Sequence, residues 1–499
     1  MEWFSADGYW LGRLVFQRAL AAVYLVAFVA ALRQFRGLLG EHGLLPVPEL
    51  VRVVPFRRAP SLFQWHYSDR LYAAVSAGGA VLAAGLVLGL GDRVPWWLAL
   101  AWWLLLWALY LSVVNVGQTW YGFGWESLLL ETGFLAAFLG NARTDPPLLV
   151  LVLLRWVLFR LEFGAGLIKL RGDRCWRDLT CLYYHHETQP MPGPLSWWFH
   201  HLPKPLHRVE VVANHVTQLV LPFGLFLPQP VSGACAVVMV ATQLWLVLSG
   251  NFAWLNWMAI VLALAVLPDA LWQAVLPLTP HVPGATPTAW VVVVCAVAAL
   301  VVALSWRPAR NLVSRHQAMN AHFDPLHLVN TYGAFGSVTK VRHEVVIEGT
   351  SDKDGGAGAT WLEYGFKGKP GDVRRLPRQF APYHLRLDWL MWFAPLSPGY
   401  SRTWFPRLLT KLLEGDRDVL ALLGDNPFPH APPAVVRARL YRYRFTTPAE
   451  RRRTGDWWHR DLVGEFAGPL SLPAPTSHPN GTRFTRGSAP DGSGPAPRP

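Results

Sequence analysis

Charged residues are scarce in this chain of 499 residues. Asp, Glu, Lys and Arg make up 15% of the sequence, whereas soluble globular proteins average about 25%. Hydrophobic residues make up 52%, and the mean hydropathy is +0.23. The deficit of charge argues against a soluble globular protein and favours a membrane protein. The 26 tryptophans agree with this interpretation, because Trp is enriched at membrane interfaces.

Cysteine is also rare, since the four residues present are too few for a disulfide framework. Cys235 and Cys295 lie in apolar runs and are predicted to be buried thiols. Cys175 and Cys181 share the polar loop RGDRCWRDLTCLYYHH. They could form a disulfide if this loop faces an oxidising compartment, but the sequence leaves the pairing open.

The sequence lacks several signatures of catalysis and cofactor binding. It has no G-x-S-x-G elbow of an α/β-hydrolase and no P-loop or Rossmann fingerprint. His185 and His186 follow the two loop cysteines, but their spacing fits no standard zinc pattern. We therefore predict no metal site and no cofactor.

Basic residues outnumber acidic ones, and the formal net charge is +13. The excess lies in loops and in the C-terminal third, and no basic–aromatic module of a known nucleic-acid-binding kind is present. Anionic lipid headgroups are therefore the expected partner, and nucleic acid is not. No cleavable signal peptide is visible, so the first apolar stretch is predicted to remain in the membrane.

Apolar runs of membrane-spanning length fill residues 1–306 and predict a polytopic helical bundle of about seven to nine spans. The candidate segments are 15–32, 73–90, 95–114, 123–139, 147–170, 209–227, 231–248, 252–271 and 289–306. Two polar loops interrupt them, at 33–71 and 171–208. Basic residues in both loops predict that they lie on one side of the membrane.

The fifth segment contains charges, which are costly in hydrocarbon and must face other helices or water. Arg155, Glu162 and Lys169 follow one another at intervals of seven residues and share one helix face. Glu126 and Glu131 of the preceding segment point in different directions, and at least one is expected to contact a basic residue of a neighbouring span. The seam is interpreted as ion-paired and structural, with a polar ligand groove and catalysis by Lys169 as alternatives.

The pattern of residues 307–471 predicts a separate α+β domain. The Pro/Gly/Ser-rich tail at 472–499 is predicted to be disordered. SVTKVRHEVVIEG, WLEYGFKG and AVVRARLYRYRFT alternate like strands, and TWFPRLLTKLLEG and DVLALLGD read as short helices. Arg342, Glu344 and Glu348 are predicted to mark the solvent face of the first strand.

Several blocks in collinear order, from about residue 60 to 470, resemble the lipase maturation factor family. They include YHHETQPMPGPLSWWFHHLPKPLHRVEVVANHVTQLVLPFGLF, LVNTYGAFGSVTKVRHEVVIEGT and WLEYGFKGKPGDVRRLPRQFAPYHLRLDWLMWFA. The resemblance implies a membrane factor for the folding and assembly of dimeric secreted lipases. Members from animals reside in the endoplasmic reticulum membrane. The Ala-, Arg- and Pro-rich composition here suggests a bacterium, which would place the chain in the plasma membrane.

A shorter run, EFGAGLIKLRGDRCW, resembles the segment of vitamin-K-dependent gamma-carboxylase that contains a catalytic lysine. This second resemblance implies an alternative function, an integral-membrane enzyme with Lys169 as its base. We expect an assembly factor in preference to an enzyme and assign no catalytic residue.

Two segments are candidate client-binding sites. ETQPMP is either a client- or lipid-contacting loop or a turn held by its own hydrogen bonds, and YHLRLDWLMWF is either a helix docked on the membrane or bundle or an exposed client patch. The candidate residues are Glu187, Thr188, Gln189, Pro190, Arg386, Asp388, Trp389 and Trp392. The count of basic residues predicts a cytoplasmic C-terminal domain, whereas the family resemblance implies an extracytoplasmic one.

Overall fold

The computed structural model describes residues 3–278, 286–356 and 358–473. Helices occupy almost all of the part that precedes the C-terminal domain. In chain order they are α1 (Trp10–Leu39), α2 (Val47–Val53), α3 (Asp69–Val87), α4 (Trp96–Asn115), α5 (Gly124–Ala137), α6 (Leu148–Arg171), α7 (Arg174–Arg177), α8 (Leu182–Thr188), α9 (Ser196–His200), α10 (Lys204–Leu219), α11 (Leu221–Gly224), α12 (Val231–Ser249), α13 (Leu255–Leu264), α14 (Asp269–Gln273), α15 (Thr288–Leu304) and α16 (Trp306–Val313).

Five of the described helical segments are long and apolar enough to cross a membrane. They are α1, α3, α4, α12 and the continuous stretch of α15 and α16. The predicted segments at 123–139, 209–227 and 252–271 contain shorter helices, of 14, 16 and 10 residues for α5, α10 and α13. The membrane bundle is thus supported, while the count of seven to nine spans stays a prediction.

Local signals set where several helices begin. Ser68 accepts a hydrogen bond from the backbone N–H of Leu71 and caps α3. Pro147 and Pro287 immediately precede α6 and α15, where a residue without an N–H costs no helical hydrogen bond. These starts divide the apolar runs into separate helices.

The two ends of the bundle carry different polar contacts. At one end, Asp269 accepts hydrogen bonds from the backbone of Trp10 and Leu11 at 3.1 and 2.7 Å. At the other end, Trp197 of the second polar loop donates to the carbonyl oxygen of Thr446 at 2.8 Å. Arg407 contacts Glu49 of the first polar loop at 3.0 Å. Both polar loops therefore lie at the end that receives the C-terminal domain.

The C-terminal domain contains an antiparallel four-stranded sheet and short helices. Its elements are β1 (Ala321–His322), β2 (Asn330–Thr331), β3 (Arg342–Thr350), β4 (Leu362–Glu363), α17 (Arg386–Phe393), α18 (Phe405–Leu413), α19 (Arg417–Leu420), β5 (Val435–Phe445), α20 (Pro448–Thr454) and β6 (Trp458–Leu470). The strand order is β4-β3-β5-β6. Strands β3 and β5 confirm two sequence predictions, while WLEYGFKG contributes only the two residues of β4.

The prediction that Arg342, Glu344 and Glu348 mark a solvent face is wrong. All three are buried, at 1%, 0% and 5% exposure. Glu344 pairs with Arg342 and, at 2.8 Å, with Lys369, and Glu348 pairs with Arg437 at 2.7 Å. The alternating pattern led us to expect that water solvates these charges. Ion pairs inside the domain stabilise them instead.

The tail predicted to be disordered lies, apart from its first two residues, outside the described residues. Cys175 and Cys181, whose pairing the sequence left open, form a disulfide with a Cα–Cα distance of 4.8 Å. It closes the short turn that contains α7, between the end of α6 and α8. Cys235 is buried and Cys295 partly buried, both as free thiols.

Thiol labelling tests this disulfide. Chain purified from membranes without reductant and then unfolded should take up two maleimide groups, on Cys235 and Cys295, because the other two cysteines are oxidised. After reduction the mass should show four additions. Four additions before reduction would show that the loop carries free thiols in the cell.

Candidate functional site

An ion pair between Glu126 of α5 and Arg386 of α17 joins the bundle to the C-terminal domain. The Arg386 Nη1–Glu126 Oε1 distance is 2.7 Å, and neither side chain has exposed surface. The Tyr110 hydroxyl donates to the same carboxylate, and Arg386 donates to the carbonyl oxygen of Trp120 at 2.6 Å. A buried charge pair is retained only with such supporting contacts. Helix α17 therefore docks on the bundle through its charged residue.

The second glutamate of α5 makes a separate junction. Glu131 forms an ion pair with Arg160 of α6, so the expected contact between one of these glutamates and a basic residue of a neighbouring helix is present. The same carboxylate accepts hydrogen bonds from Asn330 Nδ2 at 2.9 Å and from the Tyr332 hydroxyl at 2.6 Å. Asn330 and Tyr332 belong to the start of the C-terminal domain, so this contact also binds the domain to the bundle.

Glu162 and Lys169 share one buried network on the face predicted from the sequence. Lys169 Nζ donates to Asn214 Oδ1 and Gln218 Oε1, both at 2.8 Å. Gln218 Nε2 in turn donates to Glu162 at 3.2 Å, and Gln243 Nε2 donates to the same carboxylate at 2.7 Å. The network links α6 to α10 and α12. The Lys169 ammonium is therefore engaged by two side-chain amides.

Arg155 does not join that network. It donates to the Tyr9 hydroxyl at 3.0 Å and to the carbonyl oxygen of Leu225 at 3.2 Å, near the opposite end of the bundle. Arg155 and Glu162 share one face of α6, but the seven residues between them correspond to a rise of about 10 Å along the helix. The two side chains therefore do not meet. The prediction of a single seam through Arg155 is wrong on this point.

Arg342 of β3 holds the ETQPMP loop against the sheet. Its guanidinium donates to the carbonyl oxygens of Glu187 and Pro190, each at 3.1 Å, and to that of Gln189. The Gln189 side chain donates to the carbonyl oxygen of Ser249 at 2.8 Å. The loop is thus fixed from both the C-terminal domain and the end of α12.

A cavity of about 700 Å³ lies between this loop, the bundle and α17. The lining combines aromatic and apolar side chains of α17 and the residues after it with the ETQPMP loop and the NTYGAFG segment. Its lining includes Thr188, Gln189, Pro190, Tyr332, Gly333, Phe335, Trp389, Trp392, Phe393, Leu396 and Tyr400. Five candidate residues chosen from the sequence, Thr188, Gln189, Pro190, Trp389 and Trp392, are therefore brought together.

The other three candidates lie outside this cavity. Arg386 occupies the ion pair with Glu126. Glu187 accepts a hydrogen bond from the backbone N–H of Phe445 at 2.6 Å, and burial raises its pKa. Asp388 accepts from the backbone N–H of Gly368 at 2.6 Å, and burial raises its pKa as well. Arg386 and Asp388, although two residues apart, bind different parts of the protein.

Sequence reasoning missed several residues of these contacts. Arg160 lies in the same charged helix as Lys169, but it faces α5 and so fell outside the chosen face. Gln218 and Gln243 carry no charge, and only their position in apolar runs marks them as residues that could belong to a buried polar network. Asn330 precedes the Tyr-Gly turn, where its side-chain role depends on a residue far away in the sequence. Only Arg160, a charge in a membrane helix, could have been found from the sequence.

Replacing Arg386 tests the junction between the two parts. Arg386→Ala leaves Glu126 buried without its cation, which should lower the free energy of unfolding by about 3–5 kcal/mol. The matched control is Arg374→Ala, because the Arg374 side chain is 78% exposed in its pair with Asp456 and should cost at most about 1 kcal/mol. Intrinsic fluorescence during thermal unfolding in detergent measures both; equal effects would contradict the proposed importance of the junction.

Comparison with known proteins covers both parts of the structure. The family model of the lipase maturation factor transmembrane domain matches residues 11–274, and that of the lipase maturation factor C-terminal domain matches residues 328–468. No solved structure matches the chain significantly.

Curated relatives align over most of the chain. Human lipase maturation factor 1 is 42% identical, in an alignment that covers 93% of this chain and 88% of the relative. The bovine protein of the same name is 41% identical, with 93% and 90% covered. Human lipase maturation factor 2 is 31% identical, with 93% and 83% covered. Since both domains match in order and at this identity, the chain belongs to the lipase maturation factor family.

Proposed function

We propose that this chain is a membrane-resident maturation factor that assists the folding and assembly of secreted lipases. The observation that carries the proposal is 42% identity to human lipase maturation factor 1 over 93% of the chain. The relatives give no support to the carboxylase-like alternative. The contacts of Lys169 with Asn214 and Gln218 suit a structural amine.

The cavity between the bundle and α17 is the client-binding site in this proposal. Leu396 and Tyr400, 39% and 49% exposed, lie on its rim, and Trp392 and Phe393 lie in its wall. Apolar surface of this kind binds partly folded chains that have not yet buried their own apolar side chains. Client binding would require no nucleotide, because a factor that binds one client conformation more tightly shifts the population toward it.

The junctions around the cavity make it a preformed site. Arg386–Glu126 fixes α17, and Arg342 fixes the ETQPMP loop, which also lines the cavity. A site that is ordered before binding loses less conformational entropy when the client arrives. The domain therefore presents its aromatic wall in one position relative to the membrane surface.

The same proposal places the C-terminal domain on the extracytoplasmic side. The disulfide between Cys175 and Cys181 belongs to the second polar loop, which contacts the domain through Trp197 and Thr446. Disulfides persist in oxidising compartments, so loop and domain would share one, where secreted lipases fold. We give this more weight than the count of basic residues, because that rule counts short loops and neglects folded domains. The host membrane would be the plasma membrane in a bacterium and the endoplasmic reticulum membrane in a eukaryote.

Substitution of the cavity rim tests the client site. Leu396→Ser with Tyr400→Ser should reduce the specific activity of a dimeric secreted lipase, co-expressed in cells without their own maturation factor, by about tenfold. Such a loss corresponds to about 1.4 kcal/mol of client binding. The specific activity of the secreted lipase, corrected for its amount, is the measurement.

The matched control is Leu462→Ser with Val463→Ser, which removes two more exposed apolar side chains, at 54% and 53%, from β6 of the same domain. Lipase activity should then stay at the unsubstituted level. Equal loss in both double variants would argue against the cavity as the client site. If the unsubstituted chain raises the activity of no secreted lipase tested, the proposed function itself is contradicted.

A fusion at residue 473 tests the sidedness. Alkaline phosphatase folds into an active enzyme only where its disulfides form, so a fusion to the C-terminal domain should be active in bacterial cells. A fusion at residue 92, in the turn between α3 and α4 at the opposite end of the bundle, should be inactive. The reverse pattern would support the cytoplasmic placement that the basic residues predict.

A further inference from the structure

Three potential metal ligands meet beside the second polar loop. His186 belongs to α8, and His207 and Glu210 lie one helical turn apart on the same face of α10. One donor atom of each residue lies within 4.8 Å of the other two. The sequence showed no metal pattern, because His207 and Glu210 are distant from His186 along the chain.

The distances among these atoms are too long for hydrogen bonds. Glu210 Oε2 lies 3.9 Å from His186 Nε2 and 3.7 Å from His207 Nδ1, whereas such bonds measure about 2.7–3.2 Å. His186 and His207 are 1% and 2% exposed. In the described structure neither ring nitrogen of His186, nor Nδ1 of His207, has a hydrogen-bond partner. Buried polar atoms without partners are costly and need an explanation.

Neighbouring groups orient the free atoms toward one another. His207 Nε2 lies 3.4 Å from the carbonyl oxygen of His200, which can only accept and therefore favours the hydrogen on Nε2 and the lone pair on Nδ1, the nitrogen nearer Glu210. Trp245 Nε1 donates to Glu210 Oε1 at 2.6 Å, which leaves Oε2 for the histidines. Contacts of this kind typically support the ligands of a metal ion.

We propose that His186 Nε2, His207 Nδ1 and Glu210 Oε2 bind a divalent metal ion, with Zn²⁺ as the ion that this donor set fits best. Two imidazoles and one carboxylate are a known zinc ligand set. Bonds of about 2.0–2.1 Å in tetrahedral geometry place donor atoms roughly 3.4 Å apart. The observed distances of 3.7 and 3.9 Å to Glu210, and a separation of the two histidine nitrogens within 4.8 Å, would shorten to that spacing by side-chain shifts around the ion.

The site has room for a further ligand. His186 and Glu210 also line an apolar cavity of about 580 Å³ between α10 and α12. The fourth coordination position would face this cavity and be filled by water or by a carboxylate or similar oxygen ligand. The ion would also hold α8 to α10, next to Glu187 and the loop that Arg342 binds.

Metal content of the full-length chain tests the proposal. Protein purified in detergent with a tag that contains no histidine is stripped with a chelator, equilibrated with Zn²⁺ at micromolar concentration and freed of excess metal. Elemental analysis should then give about one zinc per chain. Replacement by Co²⁺ should give the visible absorption of a four-coordinate nitrogen- and oxygen-ligated ion, without the charge-transfer band of a thiolate. Absence of the thiolate band would exclude Cys235 and Cys295 as ligands.

Two variants and a control decide whether these residues bind the ion. His207→Ala and Glu210→Gln should each lose the zinc, and Glu210→Gln keeps an oxygen for Trp245 so that the fold is retained. His316→Ala removes an exposed histidine of the α16–β1 loop and should keep the metal. Added Zn²⁺ should raise the thermal unfolding midpoint of the unsubstituted chain and of His316→Ala only. Absence of zinc in the unsubstituted chain, or zinc retained by folded Glu210→Gln and His207→Ala, would overturn the proposal.

Discussion

Charge buried in the helical bundle is the constraint on which the rest of the structure depends. A carboxylate away from water must find a cation or several hydrogen-bond donors. Glu126 finds its cation in the C-terminal domain, at Arg386. Glu131 is shared between Arg160 of the bundle and Asn330 of the C-terminal region. Glu126 and Arg386 find their opposite charge only across the junction, so the bundle and the domain form one structure.

This mutual dependence explains why the cavity lies where it does. Helix α17 cannot move away from the bundle without leaving Glu126 buried and unpaired, and so Trp389 and Trp392 stay beside the loop at the end of α8. The loop is held by Arg342, which takes its position from β3. The charged contacts thus fix the positions of α17 and the loop, and the aromatic residues line the cavity between them.

The sequence predicts the elements of this structure better than their contacts. The common face of Glu162 and Lys169, the strands β3 and β5 and the helix at α17 follow from periodicity, which depends only on local geometry. The burial of Arg342 could not be predicted, because alternation shows that two faces of a strand differ but not what covers the polar one. Of the residues that line the cavity, the sequence singles out five, but it does not reveal the ion pairs that hold them in place, since each pair joins residues far apart in the chain.

In the cavity, polar groups hold the lining in place and apolar groups form its surface. Trp392 does both. Its indole Nε1 donates to the carbonyl oxygen of Thr188 at 3.1 Å, while its ring contributes to the wall. The Thr188 hydroxyl likewise donates to the carbonyl oxygen of Tyr184, and the side-chain N–H of Gln189 donates to that of Ser249. Side chains already bound to the scaffold have few donors left for a ligand. A client would therefore meet aromatic and aliphatic surface, so that binding would favour chains with exposed apolar residues over fully folded ones.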